Sequence, residues 1–319
     1  MKEVRISQQH AYATGTYSNL NTQFRSYFAY CIYFGRNPLP ADLDTMCGYA
    51  QFLSRTLQPG SIGNYLSGVR TLHAFLGLRY EFSEDFHLKM VIKGIHRMNP
   101  FVPRRATPIT PKVLALWFQH MDHNNSLHVS VWSCCLLLFF TLSRLGSVLP
   151  SSDGCQDTKG FLTRDRINFS SEGMVITFLR TKTIQFGRRR LHIPLLRLNS
   201  LFCPVRAYET CLSQMGPVYS SLNPAFIFHE NGRSFWLTKR LFINTFRQIA
   251  HHFAGADSRF TGHSFRRGGA TWAFQCGVPG ELIQIMGDWS SDSYKRYLEF
   301  SMRNKLDLAK LFSRSLTLN

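Results

Sequence analysis

One stretch near residue 105 constrains the fold of this chain more than any other. Residues 99–111, NPFVPRRATPITP, are dense in proline and basic side chains. Proline lacks a backbone N–H and biases the preceding residue toward extended conformations, so neither a helix nor a central strand continues through such a stretch. The 319 residues suffice for two domains of ordinary size. The sequence therefore predicts two domains, residues 1–104 and residues 105–319.

Residues 1–104 are predicted to form four helices. Apolar side chains recur three and four positions apart in four successive segments, which is the spacing of one helix face. Gly35 is expected to end the first helix and Ser61 to cap the third. The four faces contain Tyr17, Leu20, Phe24, Tyr27, Phe28 and Cys31; Leu43, Met46, Cys47, Ala50 and Leu53; Ile62, Tyr65, Leu66, Val69 and Leu72; and Leu88, Val91, Ile92 and Ile95.

Residues 105–319 are predicted to be mostly helical with a small antiparallel sheet. Helices are expected at PKVLALWFQHM, over residues 127–149, and again from residue 203 to the end. Strands are expected over residues 161–168 and 174–179, followed by a hairpin turn near QFG and a strand through Leu191 and Ile193. The predicted fold class is mainly α, with a four-helix N-terminal domain and an α+β C-terminal domain.

The charge balance of the chain favours a polyanionic partner. Lysine and arginine number 37 against 19 aspartates and glutamates, which gives a formal net charge of +18. Such a surplus neutralises phosphates and releases their counterions. Nucleic acid is therefore the leading partner, and an anionic membrane surface is the second.

Cysteine usage and hydropathy indicate an intracellular protein without a membrane span. The eight cysteines show neither a disulfide framework nor paired zinc-ligand spacing. The first ten residues, MKEVRISQQH, contain no apolar signal segment. The most apolar run, VWSCCLLLFFTL from Val131, is shorter than the roughly 18–20 residues that a membrane helix requires.

Four short motifs in the second half contain the candidate catalytic residues. They are TLSRLGSVL, RTKT, TGHSFRRGGATWAF and MGDWSSDSYKRYL. Each motif alone has an ordinary structural interpretation, such as an arginine at a helix end or a solvated lysine beside a turn. The residues of interest, in order along the chain, are Arg144, Lys182, His263, Arg266, Trp289, Tyr294 and Tyr297.

This series, in a basic chain behind a small helical domain, resembles the tyrosine recombinase (phage integrase) family. Within the family, the similarity is greatest to recombinases of DIRS-like retroelements and cryptons, which are eukaryotic mobile elements. Two segments carry it, GHSFRRGGATWAF and GVPGELIQIMGDWSSDSYKRYL. The resemblance implies a DNA-binding, core-binding domain at residues 1–104 and the catalytic domain at residues 105–319. It also implies a nuclear site-specific recombinase or integrase that binds double-stranded DNA and cuts it through a 3′-phosphotyrosyl intermediate.

The chemistry of phosphodiester cleavage gives each candidate a role. Guanidinium groups bind the extra negative charge of the pentavalent transition state bidentately, and Arg144 and Arg266 fit this role. A tyrosine nucleophile conserves the bond energy in a phosphotyrosyl link, so rejoining requires no ATP, metal or other cofactor. Lys182, on a hairpin, fits the general acid for the departing 5′ oxygen. His263 accepts the tyrosine proton or bonds a phosphate oxygen, while Trp289 donates to the phosphate or buttresses the site.

Spacing favours Tyr297 over Tyr294 as the nucleophile. Tyr297 lies 31 positions after Arg266, close to the usual spacing of the family, whereas Tyr294 lies 28 positions after it.

One position differs from the pattern of the family. Arg267 stands where many relatives have histidine, and it is expected to contact the backbone of a neighbouring segment.

Functions other than recombination are also compatible with the sequence. Ser147 stands where the family commonly has an acidic residue, which is compatible with a recombinase-derived DNA-binding protein that has lost catalysis. A nicking enzyme like the type IB topoisomerases uses closely related chemistry. A metal-dependent nuclease ranks low, because His251 with His252 is a weak ligand pair and no paired carboxylates lie near the basic motifs. No metal site is predicted.

Basic side chains outside these motifs are predicted to contact DNA. On the fourth helix several basic residues share a face distinct from the apolar one, although a solvated surface explains that face equally well. The predicted DNA-contacting residues are Lys89, Lys93, Arg97, Arg104, Arg105 and Arg188.

The segment after Tyr297 is predicted to form an amphipathic helix. Its apolar stripe contains Leu308, Leu311, Phe312 and Leu316. The stripe is expected to dock either onto its own domain or, as the family resemblance implies, onto a neighbouring subunit in a homotetramer on DNA.

Overall fold

The computed structural model describes residues 2–100, 105–214, 222–255 and 257–298, with a few single positions after residue 301. By its internal contacts the chain divides into two units, Met1–Arg104 and Arg105–Asn319. Each unit buries its own set of apolar side chains.

Helices make up most of the described N-terminal unit. They are α1 (Lys2–Gln9), α2 (Thr14–Tyr33), α3 (Leu43–Leu53), α4 (Pro59–Phe75) and α5 (Phe86–Met98), with a 3-10 turn at Phe82–Glu84. The four expected helices are α2 to α5. The short helix α1 is additional, and its apolar Val4 and Ile6 are exposed, so no buried face marks it in the sequence.

Local chemistry fixes where these helices begin and end. Asp42 Oδ1 accepts the backbone N–H of Thr45 at 2.6 Å and so caps α3. Gly35, with a φ of 60°, follows α2 as expected. The expectation that Ser61 caps α4 was wrong: the helix begins earlier, at Pro59, because the fixed φ of proline suits the first turn.

The most apolar run of the sequence lies in the central helix of the C-terminal unit. After α6 (Pro111–His120), α7 (Ser126–Thr141) is buried around most of its circumference. The sequence predicts that this helix continues to residue 149, but it ends at Thr141. Leu142 adopts a left-handed φ of 52°, and a separate single-turn helix, α8 (Leu145–Val148), follows. This break places Arg144 in the sharp connection between α7 and α8.

A three-stranded antiparallel sheet follows, with strand order β1-β2-β3. The strands are β1 (Ile167–Phe169), β2 (Gly173–Phe178) and β3 (Leu191–Leu196), and Ile176 pairs with Ile193 across β2 and β3. The expected strand over residues 161–168 was wrong in its first part, because Arg164–Arg166 forms a 3-10 turn that leaves only three residues to β1. Residues 179–190 connect β2 to β3.

The remainder contains a second small sheet that the sequence analysis missed. Between α9 (Pro204–Gln214) and α10 (Lys239–Ala250), strands β4 (Ile227–Glu230) and β5 (Arg233–Trp236) pair antiparallel. Asn231 and Gly232 form the turn with φ values of 50° and 73°. Asn-Gly between two apolar runs is a strong hairpin signal, so the expectation of helices alone after residue 203 was wrong.

Helix α11 (Gly262–Gln275) packs closely against its neighbours through two glycines. A Cβ on Gly268 would overlap the carbonyl oxygen of Ile109, and a Cβ on Gly269 would overlap that of Phe139 in α7. Only glycine allows this approach, which brings Arg266 to the end of α7. Helix α12 (Gly280–Met286) and a 3-10 helix (Asp292–Tyr297) follow.

The predicted fold class is confirmed: the chain is mainly α, with a small antiparallel sheet in its C-terminal part. All eight cysteines are free thiols. In the described ranges, no helix combines the length and apolarity needed to cross a membrane. The predicted apolar stripe of the tail, Leu308, Leu311, Phe312 and Leu316, lies outside the described residues.

Candidate active site

Arg266 lies at the centre of the site and is almost completely buried, with 1% of its surface exposed. A capping box starts its helix, in which the side chain of Ser264 accepts the backbone N–H of Thr261 at 2.9 Å. Arg266 Nη1 donates to the carbonyl oxygen of Leu142, at the left-handed end of α7. Arg266 Nε and Nη2 have no hydrogen-bond partner among the described residues. A buried guanidinium with donors that remain available can bind an oxyanion. The Tyr297 side chain also stabilises the guanidinium charge, which opposes the lowering of the Arg266 pKa by burial.

Trp289 covers one face of this guanidinium. The Arg266 Cζ atom lies 3.6 Å from the centre of the indole ring, which is buried. Gly287 makes room for that ring, because a Cβ at this position would overlap the indole. Stacking on the face of a guanidinium stabilises its charge and leaves the N–H groups at its edge free to bind a ligand.

Tyr297 lies beside the same guanidinium. Its ring centre is 5.8 Å from Arg266 Cζ and 5.5 Å from the Trp289 ring. Thr271, five residues after Arg266 on α11, donates its hydroxyl to the Tyr297 carbonyl at 2.8 Å. This bond fixes the backbone of the half-buried tyrosine to the helix that contains Arg266.

Tyr294 is more deeply buried than Tyr297. It belongs to a cluster with Leu142, Ala270, Ile283 and Trp289, and Tyr297 packs against the edge of the same cluster. Its hydroxyl lies against Gly280, where an added Cβ would be 2.5 Å from the oxygen. Tyr294 is therefore a core residue in this structure, whereas Tyr297 lies beside Arg266.

His263, on the first turn of α11, faces Tyr297 across 6.5 Å between ring centres. Partial burial lowers the pKa of the imidazole, and the positive charges of Arg266, Arg144 and Lys182 lower it further. At neutral pH the ring is therefore uncharged, with one nitrogen available as a proton acceptor.

Arg144 contributes a second guanidinium. It lies two residues after Leu142, whose carbonyl accepts Arg266 Nη1. Burial lowers the pKa of Arg266, and the Arg144 charge lowers it further. The side chain of Arg144 has no ion-pair partner within the described part of the chain. Ser147, at the position where the family commonly has an acid, is buried, and its N–H donates to the Arg144 carbonyl at 2.8 Å. Positive charges on both sides of a site attract an anion.

Lys182 lies on the exposed connection between β2 and β3. Its charge helps to lower the pKa of His263. Its sequence neighbours Thr181 and Thr183 donate to Asp288, the residue before Trp289. His263, Arg266, Trp289 and Tyr297 thus lie together in the C-terminal unit. Hydrogen bonds attach the segments that contain Arg144 and Lys182 to this group.

Asp288 is an acidic member of this site to which the sequence analysis gave no role. It accepts hydrogen bonds from Thr181, at 2.5 Å, from Thr183 and from Arg189. Burial raises the pKa of this carboxyl, but the three hydrogen bonds outweigh burial and the net shift is downward. Asp288 directly precedes Trp289 and has a φ of 56°, in the left-handed region that aspartate adopts more readily than most residues.

The predicted DNA-contacting residues on α5 are exposed. Lys89, Lys93 and Arg97 lie away from the buried Leu88 and Ile95 of the same helix. Lys89 also pairs with Glu84, so part of its charge is already neutralised.

In the C-terminal unit Arg105 and Arg188 are exposed, and Arg188 lies over the ring of Phe186 at 5.8 Å. Arg104 lies outside the described residues. Arg267 donates to the carbonyl oxygen of Ala106 at 3.2 Å, which is the backbone contact that the sequence analysis expected.

Within the ranges that the structure describes, no three His, Cys, Asp or Glu side chains are grouped as metal ligands.

The fold is shared with solved structures of tyrosine recombinases and integrases. The Tn1549 transposon integrase in complex with transposon right-end DNA has a TM-score of 0.64 and 14% identity, covering 99% of this chain and 98% of that chain. A lambda integrase dimer bound to a COC′ core site has a TM-score of 0.61 and 13% identity, over 95% and 94%. The XerH site-specific recombinase bound to difH substrate has a TM-score of 0.55 and 13% identity, covering 91% of this chain and 76% of that chain. No protein-family model and no curated protein matches the sequence.

Proposed function

We propose that this protein is a site-specific DNA recombinase that cuts and rejoins DNA through a covalent bond to Tyr297. The observation that supports this most strongly is the buried Arg266, which has two unpartnered nitrogens and whose Cζ lies 5.8 Å from the centre of the Tyr297 ring. In the proposed complex these nitrogens bind the non-bridging oxygens of the scissile phosphate. Arg144 supplies the second guanidinium, so the charge that develops on the phosphorane meets two fixed cations.

Strand cleavage is a single displacement at phosphorus. The Tyr297 hydroxyl oxygen attacks, a bond forms between that oxygen and phosphorus, and the bond between phosphorus and the 5′ oxygen breaks. The uncharged His263 imidazole, or water, takes the tyrosine proton. Lys182 gives a proton to the departing oxygen, which leaves as a 5′-hydroxyl. Reversal of these steps rejoins the strand, because the phosphotyrosyl bond conserves the energy of the phosphodiester.

Basic surfaces on both units support duplex DNA as the substrate. The chain has a formal net charge of +18, and the solved structures of similar fold cited above are DNA complexes. The DNA contacts proposed outside the active site are those of Lys89, Lys93, Arg97, Arg104, Arg105 and Arg188. Residues 1–104 then act as the core-binding domain and residues 105–319 as the catalytic domain.

The proposal also covers the kind of genetic element, the cellular compartment and the oligomeric state. The sequence resemblance to DIRS-like and crypton recombinases suggests a eukaryotic mobile element and action in the nucleus. A transposon integrase is among the similar folds, which agrees with a mobile element. Paired cleavage at two sites requires several subunits, so a homotetramer on DNA, with the tail docking onto a neighbouring subunit, is part of this proposal.

A covalent-capture experiment tests the proposed function. The protein is incubated with duplexes that contain a randomised window and a nick near it, so that cleavage releases a short strand and traps the enzyme on DNA. We expect a detergent-resistant protein–DNA product with a free 5′-hydroxyl on the released strand and a shared sequence in the captured windows. A protein that binds DNA but gives no covalent product is only a DNA-binding protein. Capture without sequence preference, together with relaxation of supercoiled plasmid, identifies a topoisomerase.

A further inference from the structure

Asp288 connects the segment that contains Lys182 to the segment that contains Trp289. Its Oδ2 atom accepts the hydroxyls of Thr181 and Thr183, the two residues that flank Lys182 in sequence. Its Oδ1 atom pairs with Arg189, farther along the same connection. One buried carboxylate therefore holds three residues of the β2–β3 connection.

The backbone around Lys182 forms a closed turn because of these hydroxyls. Thr181 Oγ1 also accepts the backbone N–H groups of Thr183 and Ile184, at 3.2 and 3.1 Å. The Ile184 side chain is buried and anchors the far end of the turn. Lys182 itself is exposed. Its position is therefore set by its neighbours rather than by packing of its own side chain.

The other end of this connection is the centre of the candidate active site. Asp288 directly precedes Trp289, and the Trp289 ring contacts the Arg266 guanidinium. The Asp288 side chain is 4% exposed, whereas that of Arg189 is 54% exposed. An exposed loop thus depends on a buried carboxylate for its attachment to the residues that bind phosphate.

We propose that Asp288 is a positioning residue, which holds the Lys182 ammonium at the 5′ oxygen of the scissile phosphodiester through Thr181 and Thr183. This inference rests on the proposed function, since it concerns the general acid of that reaction. An aspartate suits the role because two carboxylate oxygens accept all three donors. Asparagine would offer only one oxygen and would place an NH₂ group against a hydroxyl or a guanidinium.

A substrate with sulfur in place of the 5′ bridging oxygen separates positioning of the acid from general damage. Sulfur leaves as a thiolate and needs no proton, so a defect in acid catalysis disappears on this substrate. The probe is a nicked duplex of a sequence recovered by covalent capture, made in an oxygen and a sulfur form. Single-turnover cleavage is measured for wild type, Lys182→Ala and Asp288→Asn. Glu209→Gln, which removes the exposed bidentate pair with Arg197, is the matched control.

We expect Asp288→Asn to cut the oxygen substrate at least about tenfold more slowly than wild type, and Lys182→Ala about 100-fold more slowly. On the sulfur substrate both variants should approach the wild-type rate, and Glu209→Gln should match wild type on both. The positioning role is overturned if sulfur rescues Lys182→Ala but Asp288→Asn is equally slow on both substrates. The proposed function would remain intact in that case.

Two further outcomes are distinguishable. If Lys182→Ala is not rescued by sulfur, or if wild type forms no covalent product, the proposed acid or the proposed function itself fails, and the inference fails with it. If Asp288→Asn does not fold, the double variant Thr181→Val with Thr183→Val removes the same two contacts while it keeps the carboxylate. The same rescue is expected of that variant, and its absence contradicts the inference.

Discussion

The Arg266 guanidinium stacks on the Trp289 indole, with 3.6 Å between Cζ and the ring centre. The two residues come from different elements, α11 and the segment after α12, and both are buried. Stacking fixes the plane of the guanidinium, and the bond from Nη1 to Leu142 fixes its rotation in that plane. The nitrogens without partners are thus held in place before any ligand arrives, which is the condition for preorganised transition-state binding.

Gly287→Ala should disturb this stack without removing any catalytic group. The new Cβ would overlap the indole, so Trp289 must move away from Arg266. We expect single-turnover cleavage to fall about tenfold or more, since displacement of a catalytic group by even 1 Å is costly, while DNA affinity stays near wild type. Gly255→Ala, where no atom lies within 4 Å of the added Cβ, is the control. An unchanged rate in a folded Gly287→Ala protein would mean that the stack is dispensable.

The paired guanidiniums predict a strict requirement for arginine. Arg266→Ala and Arg144→Ala should each slow cleavage about 100-fold or more, because one preorganised charge donor is lost. Arg266→Lys should cleave as slowly as Arg266→Ala, since lysine lacks the planar guanidinium that can stack on Trp289 and donate hydrogen bonds to phosphate at the same time. Arg197→Ala, which removes an exposed pair with Glu209, is the control. A loss below about tenfold at either arginine would exclude that residue from the proposed clamp.

The lowered pKa of His263 predicts the pH dependence of the reaction. Because the folded-state pKa lies below the usual value of about 6.5, the ring stays uncharged at neutral pH and protonates only in more acidic solution. The acidic limb of the cleavage profile should therefore lie below pH ~6.5. In that window the unfolded chain binds more protons than the folded one, so stability also falls as the pH drops.

An NMR titration of the histidine Cε1–H signals measures this pKa directly, with His263→Gln used to assign the resonance. In Arg144→Ala the pKa should rise toward the usual value, because one of the neighbouring positive charges is gone. A wild-type pKa at or above the usual value would contradict the electrostatic description of the site.

The six candidate residues were selected because their order along the chain resembles the tyrosine recombinase family, since each motif alone has an ordinary structural interpretation. Sequence reasoning placed α7 correctly from hydropathy but not its end, since no local signal requires Leu142 to adopt a left-handed φ. That conformation depends on α11, whose Arg266 donates to the Leu142 carbonyl. Asp288 was missed for the same reason: its partners are about a hundred positions away in sequence, and only the fold brings them together. The β4–β5 hairpin had an Asn-Gly signal and was predictable.

The two glycines after Arg267 predict a stability effect confined to the C-terminal unit. Gly268→Ala should destabilise this unit by about 2 kcal/mol or more, because the Cβ meets a backbone oxygen that cannot move freely. All five tryptophans lie after residue 105, so tryptophan fluorescence during urea unfolding reports on this unit alone. Gly146→Ala, whose added Cβ makes only ordinary contacts, should leave the midpoint nearly unchanged. Equal midpoints for Gly268→Ala and wild type would refute the close packing of α11.

The identity of the tyrosine that bonds to DNA tests the central claim most directly. Covalent complexes formed on captured duplexes are digested with protease and nuclease, and the nucleotide-bearing peptide is sequenced by mass spectrometry. We expect the nucleotide on Tyr297, with complete loss of covalent product but near-normal DNA binding in Tyr297→Phe, and retained product in Tyr294→Phe. A nucleotide on Tyr294, or a covalent product that persists at the wild-type level in Tyr297→Phe, would contradict the proposed site.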